Sequence, residues 1–442
     1  MSYIADIPYV GWVIPFLLVL GVVVFVHEYG HYIVGKWCGI KADVFSIGFG
    51  KELFHWIDKN GMRWRVGALP LGGYVKFCGD MNAASAGADQ LALARMTDKE
   101  KAGAFHLAPL WARALTVLAG PVFNFMLSIF VFTAIAMFQG KEVNEPVVGS
   151  ISVTGDAEIG LLAGDRVVSI DGNYVSDFNE LVQALDATDG RVVTALVNRG
   201  RGEEEVTVRY RRPATIDAVL PGGAAADAGL DRGDVITGVD GEPTPTFEAL
   251  RDKIFASNGE PLVLDVTRGD QQIQMTLTPQ MTDSVDEDGN PFKRPMIGVQ
   301  NRSFGGVEPL TEAADPIDSI IYGFVRTWGI IDATLSYIYN MIFGDADASQ
   351  LGGPIQIAKV SGQAAEQGLD SLLIMIALIS TSIGLINLFP IPVLDGGHLV
   401  FYALEAVRGR PIKERWQEIG NGLGLSMILL LMVFATINDL LR

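Results

Sequence analysis

Residues 26–31 read Val26-His27-Glu28-Tyr29-Gly30-His31, and they lie inside an apolar run from about Tyr9 to Val34. A hydrocarbon core of about 30 Å takes roughly 20 helical residues to cross, so this run is long enough to span a membrane. Positions four apart share a helix face, so His27 and His31 can both offer an imidazole nitrogen to one zinc ion. Glu28 lies beside the first of them, placed to take a proton from water activated at that metal. By itself HExxH is a modest signal, because five-residue patterns arise by chance. Inside a membrane span, however, three ionisable side chains are costly and mark a functional site by default. Polar residues satisfied by helix–helix hydrogen bonds are the plainer alternative.

Three further stretches, 115–138, 372–394 and 423–437, are long and apolar enough to span. The first run lacks a basic n-region, carries Asp6 and shows no small-residue cleavage site, so it reads as a retained span. Between spans one and two, residues 35–113 hold 11 Lys and Arg against 7 Asp and Glu. Arg408, Arg410, Lys413 and Arg415 lie between spans three and four. Basic loops face the cytoplasm. Both termini and the segment 139–371 are therefore expected outside, on the face away from the cytoplasm. That segment carries 17 basic and 37 acidic residues, including Asp283, Asp286, Glu287 and Asp288. It accounts for a chain that is 49% hydrophobic yet has a net charge of −18. Such acidity argues against nucleic acid as a partner. Cys38 and Cys78 fall on the cytoplasmic side as free thiols, with no CxxC pair to suggest a metal site.

A catalytic zinc takes three protein ligands and keeps one position open. The third span ends Asn387-Leu388-Phe389-Pro390-Ile391-Pro392-Val393-Leu394-Asp395-Gly396-Gly397-His398. Counting about 1.5 Å per residue from the outer ends of both spans puts Asp395 and His27 towards the same, cytoplasmic side. Asp395 is the expected third ligand, with His398 as its competitor. Pro390 and Pro392 break the helix there, and broken backbone in a membrane is tolerated where it lines a protein cavity. His55 and His106, in the loop 35–114, are expected to be ordinary loop histidines without partners.

Residues 147–280 repeat at an offset of 69: Gly160-Leu161 and Gly164-Asp165 recur as Gly229-Leu230 and Gly233-Asp234. Asp171-Gly172 recurs as Asp240-Gly241, Phe178 as Phe247, and Arg199-Gly200 as Arg268-Gly269. Each copy reads as a short strand closed by an Asp-Gly turn, an amphipathic helix and two further strands. The pattern resembles the PDZ domain of bacterial proteases. It is clearest in residues 224–241 and weaker in the first copy, where Ala157-Glu158-Ile159 replaces a small-residue run. PDZ domains capture extended peptides at a sheet edge, so extracytoplasmic peptides are candidate partners; a pair of spacers with blocked grooves is the alternative. Apolar residues at helical spacing from Pro316 to Phe343 are interrupted by Asp318, Arg326 and Asp332. They predict an amphipathic helix on the outer membrane surface or, equally plainly, one packed against the repeat pair.

The membrane-embedded HExxH, the Asn-x-x-Pro-x-Pro-x-x-Asp-Gly-Gly run of the third span and the tandem PDZ-like repeat together resemble the site-2 protease family. Phe45-Ser46-Ile47-Gly48-Phe49-Gly50, Pro70-Leu71-Gly72-Gly73-Tyr74-Val75-Lys76, Gly120-Pro121-x-x-Asn124 and Gly353-Pro354-Ile355 also fit, so the resemblance covers essentially the whole chain. It implies intramembrane cleavage of single-span proteins, chiefly anti-sigma factors already trimmed outside, and of remnant signal peptides. It implies zinc held by His27, His31 and Asp395, Glu28 as catalytic base and Asn387 as a substrate contact. It also implies a membrane-dipping β-hairpin after the first span. The Gly-rich strands around Gly73 and Tyr74 would offer an edge for an unwound substrate, with Pro390 in the loop beyond Asn387; an interfacial aromatic anchor is the alternative for Tyr74.

The expected fold is thus a polytopic α-helical membrane protein with four transmembrane helices, a cytoplasmic-side β-hairpin region and two extracytoplasmic PDZ-like α+β domains. The expected boundaries are a first span (1–34), a cytoplasmic-side loop and β region (35–114), a second span (115–138) and PDZ-like domains (139–213 and 214–282). A linker (283–371) with helix 316–343, a third span (372–398), a cytoplasmic loop (399–422) and a fourth span (423–442) follow. Two other functions fit parts of the sequence. A non-catalytic PDZ adaptor explains the repeat but not the buried HExxH, and a peptidase acting at the membrane surface would cut outside the apolar span.

Overall fold

The computed structural model describes residues 10–59, 61–81, 90–151, 160–188, 190–200, 202–210, 213–219, 223–269, 271–285, 291–301, 307–343 and 352–441. Ala157-Glu158-Ile159 and the acidic Asp286, Glu287 and Asp288 fall outside them. The chain forms two compact units, one of residues 1–137 and 315–442 and the other of residues 138–314.

The long helices of the first unit are α1 (Val10–Trp37), α2 (Leu110–Gln139), α3 (Pro316–Phe343), α4 (Pro354–Gln367), α5 (Leu369–Asn387), α6 (Asp395–Arg408) and α7 (Glu414–Leu441). Among the described residues four helices are long and apolar enough to cross a membrane: Gly11–Trp37, Leu110–Gln139, Leu369–Asn387 and Arg415–Asp439, with mean hydropathies of 2.0, 2.0, 2.1 and 1.9. Their packing is that of helices in lipid rather than in water. Large apolar side chains such as Ile14, Leu18, Phe130 and Leu430 are exposed. The buried face of α2 carries Ala112, Thr116, Ala119, Gly120, Asn124 and Ser128. Small and hydroxyl residues let helices approach closely and hydrogen-bond across the contact. Thr381 of α5 donates to Ser128 Oγ at 2.7 Å, and Ser380 donates to the Asn124 carbonyl at 2.8 Å.

Three expectations change in this unit. The third span is not one element to residue 398: α5 ends at Asn387, residues 388–394 are irregular, and Asp395 opens α6. Pro390 and Pro392 lack the N–H that would continue the ladder, and Val393 takes a φ of 89°. The expected loop 399–422 is consequently mostly helix, shared between α6 and the start of α7. Helix α3 has the expected bounds but not the expected contacts. Its small and hydroxyl side packs on α2: Thr327 pairs with Ser128 at 3.1 Å, and Gly323 lies against Ile129 and Thr133. Tyr322 and Ile330 join Val131, Phe132 and Ala377 in one cluster. Ile317, Ile321, Phe324, Val325 and Trp328 stay exposed. The helix is therefore seated on membrane spans with its apolar side outward.

After α1, the strands Ala42–Ile57 and Arg63–Phe77 pair with repeated register breaks. Phe45, Ser46 and Ile47 have Val75, Tyr74 and Gly73 on one side and Trp64, Arg65 and Val66 on the other. The run from Gly73 to Phe77 is thus an edge of this sheet. Phe45 at its centre is fully buried with Tyr32 and Phe77, whereas Leu53, Phe54, Trp56 and Ile57 are exposed.

The second unit bears out the repeat. Four strands are ordered Asn173–Tyr174, Arg166–Ile170, Val192–Asn198, Glu203–Arg209 in the first lobe. The second lobe has Glu242–Pro243, Val235–Val239, Leu262–Arg268 and Gln271–Leu277 in the same order. The Asp-Gly turns have φ of 49° and 80° at Asp171-Gly172 and of 53° and 77° at Asp240-Gly241, the left-handed pair that a two-residue hairpin needs. The recurring Gly-Asp and Arg-Gly also acquire a role. Arg199 grips Asp165 with two hydrogen bonds of 2.8 and 3.0 Å and donates to the Gly160 carbonyl. Arg268 repeats this on Asp234, at 2.7 Å twice, and on Gly229.

The boundary at 282 does not hold. Val299–Gln300 pairs with Ala218–Val219, and Ile297 is buried in the second lobe's core. Val307–Pro309 then pairs with Val148–Ile151, and Val307 is fully buried in the core of the first lobe. The second lobe is inserted into the first, whose core is completed only by residues beyond it.

Candidate active site

His27 and His31 stand one turn apart on α1 with ring centroids 4.8 Å apart and ring planes at 87°. Their Nε2 atoms are 3.2 Å apart, and Asp395 Oδ2 is 3.2 Å from the first and 3.5 Å from the second. Among the described residues this is the one group of three His, Cys, Asp or Glu side chains whose donor atoms converge on a point. His398, the competing ligand, lines the same cavity but is outside the cluster.

Helix α2 holds the histidines from behind through residues four apart on one face. The Thr116 carbonyl accepts from His31 Nδ1 at 2.9 Å, and the Asn124 side chain meets His27 Nδ1 at 3.2 Å. Between them Gly120 leaves room for the rings: a Cβ there would collide with His31 Nε2 and come within 2.8 Å of His27. The Glu28 carboxyl interacts with the backbone amide of Val75 at the sheet edge. Gly73 allows that approach, since a Cβ would come within 3.0 Å of Glu28 Cγ and 2.8 Å of the Ser46 carbonyl.

A cavity of about 390 Å³ opens over this cluster, with Gly73, Tyr74, Asn387, His398 and Tyr402 in its wall. Pro390 is exposed and is not among the lining residues. The Tyr74 ring stacks on Phe49 at 6.1 Å, with the Arg65 guanidinium 5.9 Å from its centre. Arg113 at the start of α2 makes two hydrogen bonds to Glu405, of 2.7 and 3.4 Å, and thereby fixes α6, which begins with Asp395, against the helix behind the histidines. Two histidines expected to be unpartnered are paired: His55 with Glu52 at 2.6 Å and His106 with the buried Asp80 at 3.0 Å. Cys38 and Cys78 are both free, and burial pushes the Cys78 thiol upward, which keeps it protonated and inert.

Two imidazole nitrogens and a carboxylate oxygen crowd together here, and among the described residues the buried Asp395 Oδ2 has no hydrogen-bond partner of acceptable geometry. Such a cluster of electron pairs calls for a cation. Three ligands held about 2.0–2.2 Å from one tetrahedral centre stand about 3.4 Å from one another, close to the separations seen.

The sequence matches the model of Peptidase family M50 over residues 15–431. The chain belongs to that family. A protein of Agrobacterium fabrum named as a zinc metalloprotease is 37% identical over 430 residues, covering 97% of this chain and 96% of its own. The regulator of sigma-E protease RseP of Escherichia coli is 32% identical over 460 residues, covering 97% and 98%. Protease RseP of Yersinia pestis is 32% identical over 464 residues with the same coverage. Among solved structures, the PDZ domain of an SdrC-like protein from Listeria monocytogenes is 27% identical over 21% of this chain and 90% of its own, at a TM-score of 0.16.

This M50 chain is a zinc metalloprotease of the membrane, and the cluster's donor set and spacing suit zinc. The HExxH and Asp395 were readable in the sequence. Gly120 and Asn124 carried a family signal without a role. The Thr116 carbonyl and the Val75 amide are backbone groups, which no residue type announces.

Proposed function

We propose that this protease hydrolyses peptide bonds within the membrane-spanning segments of single-span proteins, with His27, His31 and Asp395 as zinc ligands and Glu28 as general base. The convergence of His27, His31 and Asp395 beside apolar helices, with Glu28 in the wall of the same cavity, carries the reading. Bound zinc supplies Lewis-acid polarisation of the scissile carbonyl and of the attacking water. Glu28 takes the proton from that water and returns it to the leaving amine, so one water is consumed for each bond broken. A transmembrane helix hides its peptide groups in its own hydrogen bonds and must be unwound first. The edge at Gly73 and Tyr74 would hold the opened segment by strand addition, and the Asn387 carboxamide would satisfy freed backbone groups.

The RseP relatives and the basic loops support a bacterial inner-membrane location, with the termini and residues 138–314 periplasmic. The proposed substrates are anti-sigma-factor-like membrane proteins and remnant signal peptides. The exposed apolar tip of the strand pair 42–77 suits contact with the bilayer. The two lobes, as PDZ-like domains, would exclude substrates whose bulky outer domain has not been removed. If deleting them leaves untrimmed substrates as resistant as before, the filter is wrong.

The ligand set is tested by elemental analysis of purified variants. His27→Ala, His31→Ala and Asp395→Asn should lose zinc, whereas Glu28→Gln should keep it and lose turnover by about 10²- to 10⁴-fold. Full zinc in Asp395→Asn together with loss in His398→Ala would transfer the third position to His398.

A further inference from the structure

Helix α2 offers the two histidines different partners. A carbonyl can only accept, so the Thr116 contact puts the His31 proton on Nδ1 and leaves the Nε2 lone pair facing Asp395. His27 Nδ1 instead stands 3.2 Å from Asn124 Nδ2, a group that only donates. In that arrangement Nδ1 accepts and the His27 proton sits on Nε2. That nitrogen lies in the middle of the ligand cluster, 3.2 Å from Asp395 Oδ2. Ligation through Nε2 requires the opposite tautomer, with the proton on Nδ1 and an acceptor facing it.

The acceptor is on the same side chain. Asn124 is fully buried, and its Oδ1 has no hydrogen-bond partner among the described residues. The backbone at this position is clamped by the Ser380 hydroxyl, and Gly384 of α5 leaves room for its Cβ. The two ends of a carboxamide have nearly the same size, so a half-turn about Cβ–Cγ needs no new space. It would bring the orphaned oxygen opposite His27 Nδ1.

We propose that Asn124 is the positioning residue that sets the His27 tautomer. With its oxygen towards the ring it accepts from Nδ1–H and frees Nε2 for zinc. With its NH2 group towards the ring it holds the Nε2-protonated form, whose nitrogen stands 3.2 Å from Asp395 Oδ2. The exchange is a tautomerisation: one proton leaves Nε2 and one arrives at Nδ1. The inference rests on the reading of His27 as a zinc ligand.

The test is the zinc affinity of the full-length protein in detergent, measured by competition with a chromogenic chelator, together with the unfolding midpoint of the metal-free form. Asn124→Leu keeps the volume but removes the acceptor, and should weaken zinc binding by roughly 10- to 100-fold while leaving the metal-free midpoint at the wild-type value. Asn124→Asp accepts at either end and should bind zinc at least as tightly as wild type. Wild-type affinity in Asn124→Leu overturns the proposal. So does tenfold weakening in Asn124→Asp, which decides the matter alone if the Leu variant does not fold. A merely structural role would lower the metal-free midpoint of both variants and leave zinc affinity unchanged, which also overturns it. His27→Ala separates the two readings. If that variant keeps its zinc, His27 is not a ligand; if it loses zinc while the Asn124 variants behave contrary to expectation, only the tautomer role fails.

Discussion

Gly120 decides how closely α2 approaches the histidine pair, because any side chain there meets both imidazoles. Gly120→Ala should force the rings off their shared point at a cost of about 1–3 kcal/mol, the usual penalty of overpacking. The expected result is a lower zinc content with the helices retained; full zinc occupancy would mean that α2 can move aside. The HExxH was legible because its two histidines are neighbours on one helix. Their supports were not, since the contacts of His31 with Thr116 and His27 with Asn124 span 85 and 97 residues. The pairing of His106 with Asp80 was missed for the same reason: it depends on a fold in which Phe105 stacks on Phe77 and its amide donates to the Cys78 carbonyl.

Helix α6 is the element that brings Asp395 to the site, and Arg113–Glu405 is its anchor. The paired side chains are only 13% and 17% exposed, so Glu405→Ala would strand a nearly buried guanidinium at a cost of about 3 kcal/mol. A lower unfolding midpoint is expected, and an unchanged one would show that the pair is merely incidental. In the lobes the repeated Arg–Asp clip makes a pH prediction. Burial would raise the Asp234 carboxyl, but hydrogen bonds from Arg268 and from the Asp231 amide outweigh it and hold the carboxyl below its ordinary value. A depressed folded value means that the unfolded chain binds the proton first on acidification. The clip's contribution is therefore complete above an ordinary aspartate value of about 3.9 and is lost as pH falls through the depressed one. Replacing Arg268 by Met should flatten that acid dependence, as followed by circular dichroism of the full chain. Strands of five to seven residues with Asp-Gly turns were readable because their signal is local. The two- and three-residue strands Val299–Gln300 and Val307–Pro309 were not, since no periodicity fits in so few positions.

At the scale of the whole chain, hydropathy gave the four spans because each is a continuous apolar run, whereas the partners of α3 depended on which side met α2. A helix with hydroxyl and glycine residues inward and isoleucine outward reads as amphipathic in sequence, but only its neighbours tell which face is solvated by lipid. The nested lobes make a prediction at this scale. Val307 lies beyond the second lobe yet completes the core of the first, so Val307→Asp should open the first lobe to limited proteolysis while the second stays protected. Equal protection of both would contradict the nesting. The central claim is that hydrolysis happens within the membrane, beside the apolar helix α1 that carries His27, Glu28 and His31. Its most direct test is to map, by mass spectrometry, the bond cut in a single-span substrate reconstituted with the purified protease in lipid vesicles. The account predicts a cut inside the substrate's apolar span that disappears with Glu28→Gln. Cuts confined to residues outside the span, or undiminished by that substitution, would contradict it.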